Sequence, residues 1–176
     1  MCAVYNTHSG TAEIGQNGAL SGDIASLSAD ILDAGHQLRF HAPGGSMRPF
    51  IRPGDILEIH PRQPGQIPPL GAVVLSIDDK QRVIAHRVVR RFKELDNLLI
   101  VTQGDALVKP DAPIPVTQVL GIVIAIMRGK RRITIQQDAW RALGIIWLAL
   151  APLRPQLIHL WRAIRPMRVV IRQKLR

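Results

Sequence analysis

The spacing of apolar positions changes three times along the chain. Residues 1–22 are small, polar and Gly-rich with no sustained period, which predicts a mobile arm. Ser21 to Ala34 then places Ile24, Leu27, Ile31 and Leu32 at steps of three and four, one face of a helix, with Ser21 as cap and Gly35 as stop. From Gln37 to Ile135 the texture becomes short β-type runs divided by Pro and Gly. Strands are expected over Leu38–Phe40, Ile56–Ile59, Ala72–Ile77, Val83–Val89, Leu98–Thr102, Val119–Met127 and Arg132–Ile135. Regular turn signals between short strands favour an open barrel or sandwich over alternating strands and helices, so the expected fold class is mainly β. Asp78-Asp79-Lys80-Gln81 is expected to join two neighbouring strands in a hairpin.

Beyond Gln136 the period turns helical. Leu143 to Ala151 is a dense apolar run of nine residues, cut short by Pro152, Arg154 and Pro155. A bilayer span takes about 20 predominantly apolar residues, so no clear spanning segment is present. Leu157, Leu160, Trp161, Ile164, Met167, Ile171 and Leu175 then follow steps of three and four, with Arg162, Arg165, Arg168, Arg172, Lys174 and Arg176 among them. Pro166 is expected to kink or divide that stripe. An apolar face with Trp161 and Ile164, flanked by Arg162 and Arg165, suits a helix lying on an anionic membrane surface; the alternative is a helical appendage packed on the domain or on another copy. Three regions follow: an arm and helix over 1–36, a β domain over 37–136, and a basic helical tail over 137–176.

Charge sharpens the division. The formal net charge is +10; residues 1–127 hold 11 Lys and Arg against 12 Asp and Glu, whereas residues 128–176 hold 12 against Asp138 alone. Such a segment seeks phosphates. With no recognised nucleic-acid motif and little to stack on bases beyond Trp161, lipid is the better partner and no specific nucleic acid is expected. The single cysteine, Cys2, leaves no internal disulfide and suits a reducing compartment. No basic stretch followed by an apolar core opens the chain, so the expected location is the cytoplasmic side of a membrane, peripherally attached.

Candidate chemistry lies in an ordered series: Gly44-Gly45-Ser46-Met47-Arg48-Pro49, Pro53-Gly54-Asp55, Ala85-His86-Arg87-Val88, Gly104-Asp105 and Pro110-Asp111. A serine in a glycine-flanked turn is exposed, an imidazole with an ordinary pKa of about 6.5 can take its proton, and a carboxylate can hold the ring in the required tautomer. Ser46 is the candidate nucleophile, His86 the base, and Asp105 or Asp111 the orienter. Gly-Asp and Pro-Asp are also good turn formers, and the sequence does not choose between the two. His8, His36, His41, His60 and His159 show no metal-ligand spacing, so neither a metal nor another cofactor is expected.

The series resembles the type I signal peptidase family, in the endoplasmic-reticulum and archaeal branch that uses histidine where most bacterial members use lysine. The resemblance runs from about Leu38 to Arg128. Ser46-Met47-x-Pro49 looks like the nucleophile box, His86-Arg87-Val88 like the general-base box, and Gly104-Asp105 with Asp111 like the box of the third catalytic member. Pro53-Gly54-Asp55 is similar to the turn after the nucleophile, and Gly71-Ala72-Val73-Val74 to a strand opening in which Ala72 replaces Asp. Ala106 stands where Asn often follows Gly-Asp. Gly44 occupies the place of a hydroxyl residue that helps bind the oxyanion in some members, which would leave the oxyanion hole to backbone N–H groups near Gly44 and Gly45.

That resemblance implies a mostly β fold and a serine endopeptidase that cuts after small residues in an extended peptide or preprotein, with Met47 lining the substrate cleft. It also implies a spanning helix before the nucleophile, which this sequence does not show. Two other readings compete. One is a self-cleaving repressor-type peptidase, for which Ala34-Gly35 is the type of bond cut. The other is a non-catalytic peptide-binding module docked on membrane by its basic tail.

Overall fold

Side-chain alternation builds the strands of this protein, and the continuous apolar runs lie at the centre of the sheet. The computed structural model describes residues 11–14, 21–78 and 80–150. In chain order the elements are β1 (Thr11–Ile14), α1 (Ser21–Asp33), β2 (Gln37–His41), β3 (Ile56–Pro61), β4 (Val73–Ile77), β5 (Val83–Glu94), β6 (Asn97–Gln103), β7 (Ile114–Pro115), β8 (Val119–Arg128), β9 (Arg131–Thr134) and α2 (Asp138–Ala149). In β2, Leu38 and Phe40 are buried while Gln37 and Arg39 face solvent; in β3, Leu57 and Ile59 are buried between half-buried neighbours. Val73 to Ser76 of β4 and Gly121 to Ile126 of β8 are buried without a break, as strands covered on both faces are.

The nine strands of the described residues form one sheet in the order β1-β2-β3-β8-β4-β5-β6-β7, with β9 on β8. Every ladder is antiparallel except the parallel pair β1 and β2. Ten-residue β8 lies along β3 on one side, and on the other it pairs with β4 over Val119–Ile122 and with β9 over Ala125–Arg128. Two cores result. One joins α1 to β2, β3, β4 and β8 through Ile24, Leu32, Leu38, Phe40, Leu57 and Ile126; the other gathers Val74, Val88, Ile100, Val116, Val119 and Ile122. Val73 and Leu75 enter the first while Val74 enters the second, as period two requires.

The mainly β class and the seven strands expected from the sequence are present, six of them within two residues of their expected bounds, while β5 runs on from Val89 to Glu94. The arm differs. Thr11–Ile14, expected to be mobile, forms β1 beside β2, with Thr11 opposite Gln37 and Ile14 opposite Phe40. Four residues are too few to display a period, and the edge of β2 supplies the ladder that the sequence does not announce. The two-residue β7 is a second addition, too short and Pro-containing to be read.

Helix α1 ends as expected at Gly35, whose φ of +82° closes a Schellman cap: His36 N–H donates to Ile31 O at 3.1 Å and Gly35 N–H to Leu32 O at 3.0 Å. Helix α2, the first part of the basic tail, packs on the β unit. Gly144 lies directly on the guanidinium of Arg87, where an added Cβ would sit 2.2 Å from Cζ. Trp140 and Trp147 turn inward onto Phe50, with ring centroids 5.5 and 6.2 Å away, while Leu143, Ile146 and Leu150 stay exposed. Among the described residues no helix is long and apolar enough to cross a membrane. Trp161, Arg162, Ile164 and Arg165, expected to form a membrane-facing stripe, lie outside the described residues.

The seat of α2 yields a test of sign. On an exposed helix Gly→Ala stabilises by about 1 kcal/mol. At Gly144 the added methyl meets a guanidinium held by hydrogen bonds, so Gly144→Ala is expected to lower the melting temperature, by about 2–4 °C for each kcal/mol lost. A raised melting temperature would contradict this packing.

Candidate active site

Three chain segments converge on one imidazole. Ser46 lies in the loop from Ala42 to Asp55 between β2 and β3. That loop is closed at its base by Ala42 N–H to Asp55 O at 2.9 Å and Gly54 N–H to Ala42 O at 2.9 Å. Pro53-Gly54 forms the expected turn, with Asp55 N–H on Arg52 O at 3.0 Å and Gly54 at φ +88°. The Asp55 carboxylate caps the turn by accepting from Arg52 N–H at 2.8 Å, and it takes two bonds from Arg128, which also donates to Phe50 O at 2.8 Å. The Ser46 loop is thus clamped from β8.

His86 arrives on β5, opposite Val74 of β4, through the expected hairpin. Asp78 knots that hairpin by accepting from Lys80 N–H at 3.0 Å, Arg82 N–H at 2.8 Å and the Arg82 guanidinium. His86 Nε2 lies 3.2 Å from Ser46 Oγ, and its Nδ1 lies 2.7 Å from Asp111 Oδ2. Thr102 of β6 donates its hydroxyl to the same carboxylate oxygen at 2.6 Å, and Asp111 N–H donates to Thr102 O at 2.8 Å. An ionised carboxylate only accepts, so Nδ1 carries the proton and Nε2 is left to accept from the Ser46 hydroxyl. That is the tautomer general-base chemistry requires. Burial opposes ionisation of Asp111, but hydrogen bonds from His86 and Thr102 outweigh it and hold the carboxyl below its ordinary range.

Of the two candidate orienters, the structure brings Asp111 to His86 and sends Asp105 elsewhere. Asp105, fully buried, forms a two-pronged pair with Arg87: Nε to Oδ1 at 2.8 Å and Nη2 to Oδ2 at 2.7 Å. Adjacent residues of a strand face opposite sides of a sheet, so the carboxylate that meets Arg87 is not on the side of His86. Arg87 completes its bonding through Nη1 to Gly71 O at 2.7 Å. Ala106 meets the Ser46 loop through its backbone: its N–H donates to Ser46 O at 2.7 Å.

Gly104 makes this approach possible, since a Cβ there would lie 2.8 Å from Ser46 O. Met47 is buried and lines a cleft of about 470 Å³ in front of Ser46, together with Phe40, Leu57, Val83, Ala85 and Gly44. Gly45 is exposed beside it, and its carbonyl accepts from Arg48 N–H at 3.2 Å. Ile24 of α1 also lines the cleft, a contribution from 22 residues upstream that no local motif marks. A second hollow of about 800 Å³ lies across His86, against Thr102, Asp111 and Gln118. No local pattern marks Thr102 or Arg128 as part of the site, whereas Arg87 is marked by its place next to His86 on a strand. Among the described residues no three His, Cys, Asp or Glu side chains are grouped to hold a metal ion. No protein-family model and no curated protein matches this sequence.

The two aspartates should separate in experiment. Asp105→Asn leaves Arg87 buried without its counter-charge and is expected to destabilise the fold by on the order of 3–5 kcal/mol in denaturant melts. Asp111→Asn, at a half-buried carboxylate, should cost far less. The folded-state pKa values of Asp111 and of Asp55 are both lowered, for Asp55 against burial by Arg128 and the Arg52 N–H. Their stabilising contribution is therefore complete above the unfolded-state value of about 3.9 and is lost as pH falls through the lower folded-state values. Asp111→Asn should reduce the acid-side slope of stability, and an unchanged slope would contradict the assignment.

Proposed function

We propose that this protein is a serine-type endopeptidase similar to signal peptidase. In this reading Ser46 is the nucleophile, His86 the general base and Asp111 the residue that orients and stabilises the imidazolium. The observation that carries it is the continuous hydrogen-bonded path from Ser46 Oγ through both nitrogens of His86 to Asp111, opening on a cleft. Ser46 Oγ attacks the scissile carbonyl while its proton passes to His86 Nε2. The imidazolium then returns the proton to the leaving amine, and water releases the acyl group by the same route. Gly44 offers no side-chain donor, so backbone N–H groups around Ser46 serve the oxyanion.

The substrate fits as an added strand. Pairing of β5 with β6 begins at Arg87, which leaves the Val83–Ala85 stretch beside the cleft without a β6 partner. An extended peptide adding to that edge would pass Ser46, with alternate side chains turned to the apolar cleft. A cleft lined by Met47, Phe40 and Leu57 suits small apolar side chains. Self-cleavage at Ala34-Gly35 is disfavoured, because that bond is held in a helix cap rather than extended.

The purified chain, incubated with a library of small-residue peptides and read by mass spectrometry, is expected to cut after small residues. Ser46→Ala or His86→Ala should lower turnover by about three orders of magnitude or more. Cleavage unchanged by Ser46→Ala would end this reading.

The same proposal takes an anionic membrane surface as partner of the basic segment 151–176, which holds seven Lys and Arg and no Asp or Glu. Vesicles containing acidic lipid are expected to bind the full chain, with weaker binding at high salt. A chain ending at Leu150, which keeps α2 on its seat, should lose that binding and stay folded. Binding that survives the truncation would remove the tail from this role.

A further inference from the structure

We propose that Trp147 of α2 is a positioning residue for the nucleophile, acting through the single peptide unit that joins Asp105 to Ala106; the inference rests on Ser46 being the nucleophile. That peptide is gripped at both ends. Its oxygen, the Asp105 carbonyl, accepts from the Trp147 indole N–H at 2.8 Å. Its N–H, on Ala106, donates to Ser46 O at 2.7 Å. A peptide unit is planar, with N–H and C=O directed to opposite sides, so an indole that fixes the oxygen also fixes the direction of the N–H. A hydrogen bond to the carbonyl also polarises the unit and strengthens its N–H as a donor.

The nucleophile end of this relay is tight. Ser46 O lies so close to the Gly104–Asp105 turn that glycine is required there, and a rotated Asp105–Ala106 peptide would drag the Ser46 main chain with it. Trp147 has a second hold on the same loop: its ring meets Phe50 edge-on at 6.2 Å and 88°, four residues beyond Ser46. Packing against Phe50 would be served by any aromatic ring. The bond to Asp105 O needs the indole nitrogen. Helix α2 therefore does more than cover the Arg87 pair: it sets the Ser46 backbone, and through it the 3.2 Å approach of Oγ to His86. Displacements near 1 Å at a reacting group cost on the order of a hundredfold in rate.

The test replaces Trp147 in the full chain by β-(3-benzothienyl)alanine, which keeps the ring outline and exchanges the N–H for sulfur, with Trp147→Phe as a second variant. For the isostere, kcat on a cleaved peptide is expected to fall about tenfold or more at nearly unchanged KM and melting temperature. Amide hydrogen exchange at Ala106 should quicken in both variants. An isostere with unchanged kcat, or with unchanged Ala106 exchange, overturns the proposal. So does a loss confined to Trp147→Phe and accompanied by a lowered melting temperature, which assigns the ring to packing alone. If the unmodified chain cuts no peptide, the peptidase reading falls on that result, and Ala106 exchange still decides whether Trp147 holds the peptide that holds Ser46.

Discussion

The buried ion pair between Arg87 and Asp105 ties the parts of this structure together. Arg87 is 3 % exposed and Asp105 not at all, and three guanidinium nitrogens find acceptors: the two carboxylate oxygens and Gly71 O. Removing two charges from water costs several kcal/mol for each ion, which such a pair recovers only when its geometry and remaining bonds are good. Its worth here is organisational. Gly71 marks the entry to β4, Asp105 the turn after β6, Phe50 the Ser46 loop 5.3 Å from the guanidinium, and Gly144 the helix laid over it. Loss of Arg87 would remove all four contacts.

Strand β5 joins this anchor to the hydrogen-bonded path from Ser46 through His86 to Asp111. His86 and Arg87 are consecutive, so they face opposite sides of the sheet, one toward Ser46 and Asp111 and the other toward Asp105 and α2. A slip of one residue in the register of β5 would exchange the two faces and destroy both. The register is held by five paired positions with β4 and by the Asp78 knot at the hairpin end. A second ion pair, Arg128 with Asp55, holds the Ser46 loop to β8. The imidazole, carried on β5, is thus met by two loops, that of Ser46 and that of Asp111, each anchored to a strand, which is how a site on loops acquires rigidity.

Much of this was legible in the sequence, for identifiable reasons. Period two and Pro-Gly punctuation mark β2 to β6, β8 and β9, and a 3.6-residue period with a following Gly marks α1. The order and spacing of Ser46 and His86 pointed to a meeting that the structure places at 3.2 Å. The choice between Asp105 and Asp111 was not legible, because both sit in turn-forming dipeptides and only the path of the chain after β6 decides which reaches the ring. Thr102 gave no sign, being one more β-branched residue in a strand. Helix α2 read as the dense apolar run that opens the helical tail; that its glycine and tryptophans seat it on Arg87 and Phe50 depends on a partner surface from distant parts of the chain. The parallel strand β1 was hidden because edge pairing is supplied by the neighbour rather than by local pattern.

The claim at the centre is that Asp111, and not Asp105, fixes the imidazole so that Nε2 faces Ser46. Nitrogen-15 NMR of the His86 ring tests it most directly, by recording which nitrogen carries the proton and whether that proton is strongly deshielded. The account predicts a deshielded proton on Nδ1 that persists in Ser46→Ala and is lost in Asp111→Ala. A proton resident on Nε2 in the unmodified protein, or an Nδ1 proton unaffected by Asp111→Ala, would contradict it.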